Sequence, residues 1–267
     1  MEKSEMRKNK LRELLKAGQP SLGTRLEGQW PTMVEVIGHT GMFDYVEIVA
    51  EYAPYSLFSL DNIGRAIQLF ENMSGMIKVE QESRTHLAVR AISSGIQNIL
   101  FSDIRSIAEA EECIKAVRAE TPLTGGLHGA RHGRDVGVHL EAGSPAFVQA
   151  LEDSVIALMV EKKGAVENLE NILSLKGVDM VQFGPGDYSM SIGKAKNSPE
   201  VVEAQLYMIK TALKMGIAPR VEINNPQEAE AYMNIGVKNF CLGTEVTTVY
   251  NWCKENGSRM HDMFKSI

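Results

Sequence analysis

Eight apolar runs alternate with longer stretches of helical periodicity along nearly the whole 267-residue chain. The runs cover 21–26, 44–50, 75–79, 98–102, 154–161, 178–184, 217–223 and 238–243. Several, such as "VIALMV" and "VDMVQF", carry apolar residues on both faces. A strand that is apolar on both faces belongs in a parallel sheet covered by helices. Helical periodicity falls at about 33–40, 60–72, 83–94, 104–119, 166–175, 199–215 and 226–235. Gly41, Gly95, Gly177, Gly216 and Gly236 each stand between a helical stretch and the next run, where glycine ends a helix in the left-handed conformation.

Eight such units in this length predict a (β/α)8 TIM barrel. An open doubly wound sheet is the competing architecture. It would carry G-x-G-x-x-G after the first strand, and "SLGTRLEGQWP" does not. A single barrel domain is expected over 1–267, with a helix at about 4–17 and a helical extension at about 246–264.

Composition narrows the function. The net charge is −6, with no basic stripe, which argues against nucleic acid. No apolar run approaches the ~18 residues of a membrane helix. The N-terminal stretch lacks the apolar core of a secretory signal. Cys113, Cys241 and Cys253 show no disulfide or metal spacing, which suits a reducing cytoplasm. The stretch 122–144 is rich in glycine and holds His128, His132 and His139; it is expected at the active-site rim or at a subunit contact.

In a TIM barrel the chemistry sits at the C-terminal ends of the strands. Glu161 and Asp187 fall there, one βα unit apart, each after an apolar approach. Neighbouring strands lie ~4.8 Å apart, so the two carboxylates repel unless a cation lies between them. Oxygen ligands suit Mg²⁺ or Mn²⁺, with Co²⁺ a third option. The plainer alternative pairs Glu161 with Lys162, Lys163 or an arginine and leaves Asp187 to cap a turn. In "FGPGD", Gly184 and Gly186 are expected to take conformations closed to other residues and to expose amides as an anion nest. A plain tight turn is the alternative there.

These residues support a resemblance. "VDMVQFGPGDYSMSIG" closely resembles the GPxDLS signature of the HpcH/HpaI aldolase family, which includes the citrate lyase beta-subunit. "IALMVEKKGAVENLENIL" is similar to the strand and helix before that signature. "GMFDYVEIVAEYAPYSL" looks like the family's second strand, and "SGIQNILFSDIRSIAEAEECIKAVR" like its fourth. The resemblance runs from about residue 21 to 249.

It implies a barrel of the phosphoenolpyruvate/pyruvate-binding type and a divalent metal on Glu161 and Asp187. It implies a 2-oxo acid, typically pyruvate, whose carboxylate meets Gly184, Gly186, Asp187 and Ser189. The metal would polarise the oxo oxygen and stabilise an enolate as a C–C bond to an aldehyde forms or breaks. The family's D-G-E-H reads Val49-Ala50-Glu51-Tyr52 here, so Tyr52 replaces the histidine of the acid/base pair, with Glu51 behind it. Lys78 is the cation nearest the position of an oxo-binding arginine, and Arg25 stands where an aromatic residue is common. Lys78 or Arg25 is expected to lower the Tyr52 pKa; a loop histidine is the alternative base. A homo-oligomer, trimer or hexamer, is implied, with the last helix exchanged between subunits. A decarboxylase on the same enolate chemistry, or a non-catalytic 2-oxo acid binder, are the alternatives.

Overall fold

The computed structural model describes residues 6–134 and 142–267. Eight parallel strands close into a barrel in chain order: β1 (Ser21–Leu26), β2 (Tyr45–Val49), β3 (Ser74–Val79), β4 (Asn98–Phe101), β5 (Ile156–Val160), β6 (Met180–Phe183), β7 (Ala218–Ile223) and β8 (Asn239–Thr244). The cycle closes where β8 pairs with β1, with a register shift between Gly23 and Arg25. Every residue of β2 to β6 is buried, as expected of strands covered on both faces. The chain is thus a (β/α)8 TIM barrel.

The helices are α1 (Lys10–Lys16), α2 (Pro31–Thr40), α3 (Leu57–Ile67), α4 (Arg84–Ser93), α5 (Ile107–Val117), α6 (Pro145–Glu152), α7 (Lys163–Glu167), α8 (Leu169–Leu173), α9 (Pro185–Ile192), α10 (Pro199–Met215), α11 (Ala229–Met233) and α12 (Glu245–Phe264). Their ends follow local chemistry. α10 starts with Pro199 after Ser198 and stops at Gly216, whose φ of 76° is left-handed. α12 is capped by Thr244, whose hydroxyl accepts the Thr247 amide at 3.0 Å.

Some expected elements differ. The 166–175 helix is two short helices that meet at Asn168, whose φ of −108° and ψ of 18° leave the helical region. The 226–235 stretch is a 3₁₀ turn, Pro226–Glu228, followed by α11. The N-terminal helix is shorter than expected and begins after Asn9, whose side chain caps it. "PGDYSMSI", expected as a turn, forms α9, because Pro at the first position presets the helical φ. α6 was not expected at all.

Side chains inside the barrel are layered. At the N-terminal end Leu11 of α1 is fully buried and packs with Tyr45, Met76, Leu100, Ala157 and Met180. Asn9 donates to Asn98 Oδ1 at 2.7 Å, and Arg12 holds Asp179 with two bonds of 2.6 Å. α1 therefore plugs this end. Two residues further along β2, β3, β6 and β7 the inward positions turn polar, with Glu47, Lys78, Gln182 and Arg220, while β5 keeps Met159 there. Arg220 and Glu47, both without exposure, form an ion pair across the barrel, and Arg220 Nε donates to the Tyr45 hydroxyl at 2.7 Å. The Tyr45 ring lies on Gly23, where a Cβ would overlap it.

Residues 118–134 join the end of α5 towards β5 at the plugged end. His128 is buried there beside Phe147, at a ring separation of 6.1 Å, and burial pushes its pKa down to about 4. The expectation that this stretch lines the active-site rim is corrected for His128, because the chain leaving α5 has already descended to the opposite end. His139 lies outside the described residues.

Candidate active site

The C-terminal ends of β2 to β6 bring a dense set of charges together. Glu51, Asp103 and Glu161 place a carboxylate oxygen each within 4.8 Å of one another. Lys78, near the end of β3, pairs with Glu51. Lys162 Nζ lies 2.7 Å from Asp103 Oδ1 and 2.7 Å from Asp187 Oδ1. Among the described residues, Glu51, Asp103 and Asp187 thus each meet an ammonium group at contact distance, while Glu161 forms no such pair. Arg105 stands farther out, 3.6 Å from Asp103. Negative charge is left over.

Local geometry holds this cluster. Glu161 directly follows β5 and is buried, with Oε1 accepting the Asp103 amide at 2.7 Å. To present that amide, Asp103 adopts a φ of 56°, a conformation that non-glycine residues avoid at a cost of roughly 1–3 kcal/mol. Burial pushes the Glu161 pKa up to about 7, and Asp187 and Glu51 add to the rise. The Asp103 amide and Lys78 pull the other way and do not win. A carboxylate so placed is short of a cation.

Gly184 has a different reason to be glycine from the expected one. Neither Gly184 nor Gly186 has a positive φ. A Cβ on Gly184 would overlap the Glu161 carboxylate, so the missing side chain makes room for that acid. A Cβ on Gly186 would meet nothing within 4 Å. The amides of Gly186 and Asp187 instead lie in the first turn of α9, where helix N–H groups have no intrahelical acceptor and the dipole favours an anion. The expected nest is a helix N-terminus. Ser189 is buried there, and its hydroxyl donates to the Gly186 carbonyl at 2.7 Å.

Burial lowers the pKa of Lys78, but the charge and hydrogen bond of Glu51 outweigh it and leave it raised. The ammonium sits 5.7 Å from the centre of the Tyr52 ring. Tyr52 is 61 % exposed. Its pKa is raised by burial, which exceeds the lowering by Lys78 and Arg25. The expected depression by these cations is therefore corrected: Tyr52 keeps its proton at neutral pH.

Across the mouth, Arg25 Nη1 donates to Glu222 Oε2 at 2.7 Å, and Gln182 Nε2 donates to Glu222 Oε1 at 2.8 Å. Gln182 also accepts from Arg220. Arg25 thus ends a chain of polar contacts that runs down to Glu47. The structure brings Arg25, Glu51, Tyr52, Lys78, Glu161 and Asp187 to one end of the barrel. It adds Asp103, Lys162, Glu222 and the Glu47–Arg220 pair. The signal for the last was present: Glu47, Arg220 and Glu222 are charged positions inside otherwise apolar strands, with Arg220 and Glu222 at the two-residue spacing of one strand face.

The carboxylate donors suit a hard divalent cation. The surplus of negative charge and the raised pKa of Glu161 both favour one, so the residues fit such an ion.

Comparison with known proteins identifies the family. The family model for HpcH/HpaI aldolase/citrate lyase matches residues 24–251. The 4-hydroxy-2-oxo-heptane-1,7-dioate aldolase of Shigella boydii serotype 18 is 28 % identical over 247 residues, covering 90 % of each chain. A HpcH/HpaI aldolase/citrate lyase family protein from Burkholderia cenocepacia J2315 superposes with a TM-score of 0.86 at 22 % identity, over 95 % of this chain and 100 % of that one. Macrophomate synthase superposes with a TM-score of 0.84 at 18 % identity, over 96 % and 90 %. These two share the fold. With the family model spanning most of its length, the chain belongs to the HpcH/HpaI aldolase/citrate lyase family of carbon–carbon lyases.

Proposed function

We propose that the protein is a divalent-metal-dependent aldolase that forms or breaks a C–C bond next to a 2-oxo acid, with a pyruvate-like enolate as the nucleophile. The observation that carries this reading is the unbalanced cluster at the strand ends: Glu51, Asp103, Glu161 and Asp187 against Lys78, Lys162 and Arg105. Glu161 and Asp187 hold the metal, Mg²⁺ or Mn²⁺. When bound, the metal acts as a Lewis acid on the oxo oxygen.

The chain's own residues supply the rest. The amides of Gly186 and Asp187 at the start of α9 receive the substrate carboxylate. Lys78, held by Glu51, adds positive charge where the oxo group becomes an enolate. Tyr52 lies over Lys78 and, being protonated, serves as a proton donor rather than a base. Arg25 and Glu222 line the opposite side of the mouth, where the aldehyde partner is received.

A homo-oligomer, a trimer or hexamer, belongs to the same reading. α12 buries none of its residues against its own chain and exposes Val249, Tyr250, Trp252, Met260 and Phe264. An apolar face of that size calls for a partner. Among the described residues, no helix is long and apolar enough to cross a membrane. The free cysteines suit a cytoplasmic setting.

The test is proton exchange of pyruvate in D₂O with and without Mn²⁺. Metal-dependent loss of the methyl signal that disappears in Asp187→Asn supports the enolate. Binding of pyruvate without exchange would turn the reading into a non-catalytic binder. Neither binding nor exchange would remove pyruvate as the substrate. Light scattering at several protein concentrations tests the oligomer.

A further inference from the structure

Lys162 is placed unlike any other cation at the mouth. Glu161 and Lys162 follow β5 directly, and Lys162 keeps an extended backbone at φ −125° and ψ 147° before α7. Successive side chains of extended backbone point in opposite directions. Glu161 therefore enters the barrel while Lys162 reaches sideways along the rim.

Its ammonium meets two carboxylates with equal distances of 2.7 Å. The two are not equivalent. Asp103 is 22 % exposed and is fixed through its amide to Glu161, through Lys162, and through Arg105 at 3.6 Å. Asp187 is 53 % exposed, and Lys162 is its only recorded ion-pair partner among the described residues. The ammonium on Asp187 Oδ1 occupies one of the two oxygens this carboxylate could offer a metal. A cation on that carboxylate would repel it.

We propose that Lys162 is a built-in competitor for the metal: it neutralises Asp187 in the metal-free protein and withdraws onto Asp103 when a divalent ion binds. Asp103 is the resting place that makes the exchange local, because a lysine on a flexible four-carbon stem pivots between two acids without moving the backbone. Lys162 thus sets how tightly the metal is held, and it keeps the acids from repelling each other while the metal is away. This rests on the reading of Glu161 and Asp187 as metal ligands.

Mn²⁺ binding, followed by the electron paramagnetic resonance signal of the free ion, tests the proposal without any turnover. Lys162→Gln removes the charge and keeps most of the length; Lys162→Arg keeps the charge. Lys162→Gln is expected to bind Mn²⁺ on the order of tenfold more tightly than the wild type, the scale of losing one partly exposed repulsive charge. Lys162→Arg is expected to stay near the wild type. Lys162→Met, read in the same way, replaces the glutamine variant if that variant does not fold. Equal or weaker binding in the neutral variants overturns the competitor role alone, and so does an arginine variant as tight as the glutamine one. No Mn²⁺ binding in any of the proteins overturns the metal reading, and this inference with it.

Discussion

The two ends of the barrel handle charge in opposite ways. At the N-terminal end Arg12 and Asp179 form a two-pronged pair, and Arg12 also donates to the Ser154 carbonyl at 2.7 Å. Arg118 reaches the same Asp179 at 3.4 Å, and Leu11 fills the space behind. Acids there meet at least as many cations. At the C-terminal end acids outnumber the cations that touch them, Glu161 has a raised pKa, and Asp103 is held in a disfavoured backbone conformation. A region built for stability satisfies its charges. A region built for a ligand leaves some unsatisfied until the ligand arrives.

That contrast can be broken from either side. Glu161→Gln keeps an oxygen for the Asp103 amide and removes the charge. Turnover should fall by roughly 10³-fold or more, the scale of losing a main electrostatic contact to the reacting group, while the melting temperature hardly drops. A large loss of stability with modest loss of turnover would show that the mouth, too, is structural. Arg12→Ala works from the other end. It leaves Asp179 with the longer contact to Arg118 alone and removes the bonds to the Asp153 and Ser154 carbonyls, so it should cost about 1–3 kcal/mol in chemical denaturation, with turnover per folded molecule unchanged.

The pH dependence of the metal-free protein sharpens the comparison. Burial raises Glu161 from its ordinary 4.5 to about 7 in the folded state, so the folded chain holds this proton more firmly than the unfolded one. Its contribution to stability is complete below pH 4.5 and is lost as the pH rises through 7, by about 3 kcal/mol. Denaturation curves of Glu161→Gln should lack this fall, and saturating Mn²⁺ should suppress it. The smallest effect expected is that of Tyr52→Phe. A general acid supplies ~10²-fold or more, so turnover should drop on that order with Mn²⁺ affinity unchanged. A drop of less than about threefold would free Tyr52 from the proton-transfer role.

Most of the barrel was legible because burial on both faces writes itself into consecutive residues. β1 and α10 have the expected bounds, and every strand lies within one or two residues of its predicted place. Glu161 and Asp187 were legible for a related reason: each is the first acid after an apolar approach. What stayed hidden depends on contacts across the barrel. Glu47 and Arg220 are 173 residues apart, so no local spacing links them. Asp103 looked like any acid at a strand end until its amide was seen to serve Glu161. Tyr52 was read from the charges near it, and the sign of its shift was set instead by burial, which only the folded chain defines.

The contact between Gly184 and Glu161 constrains how this sequence can change over time. A side chain at 184 and a glutamate at 161 claim the same space. Residue 184 is therefore free to vary only after residue 161 has shortened or moved, and a change at 161 made first leaves the acid cluster incomplete. Two positions 23 residues apart are locked into an order of substitution. In a double-mutant cycle Gly184→Ala and Glu161→Asp should not add: the penalty of the alanine should shrink with the shorter acid in place, but not vanish, because the β-carbon of residue 161 still lies 2.7 Å from the added methyl.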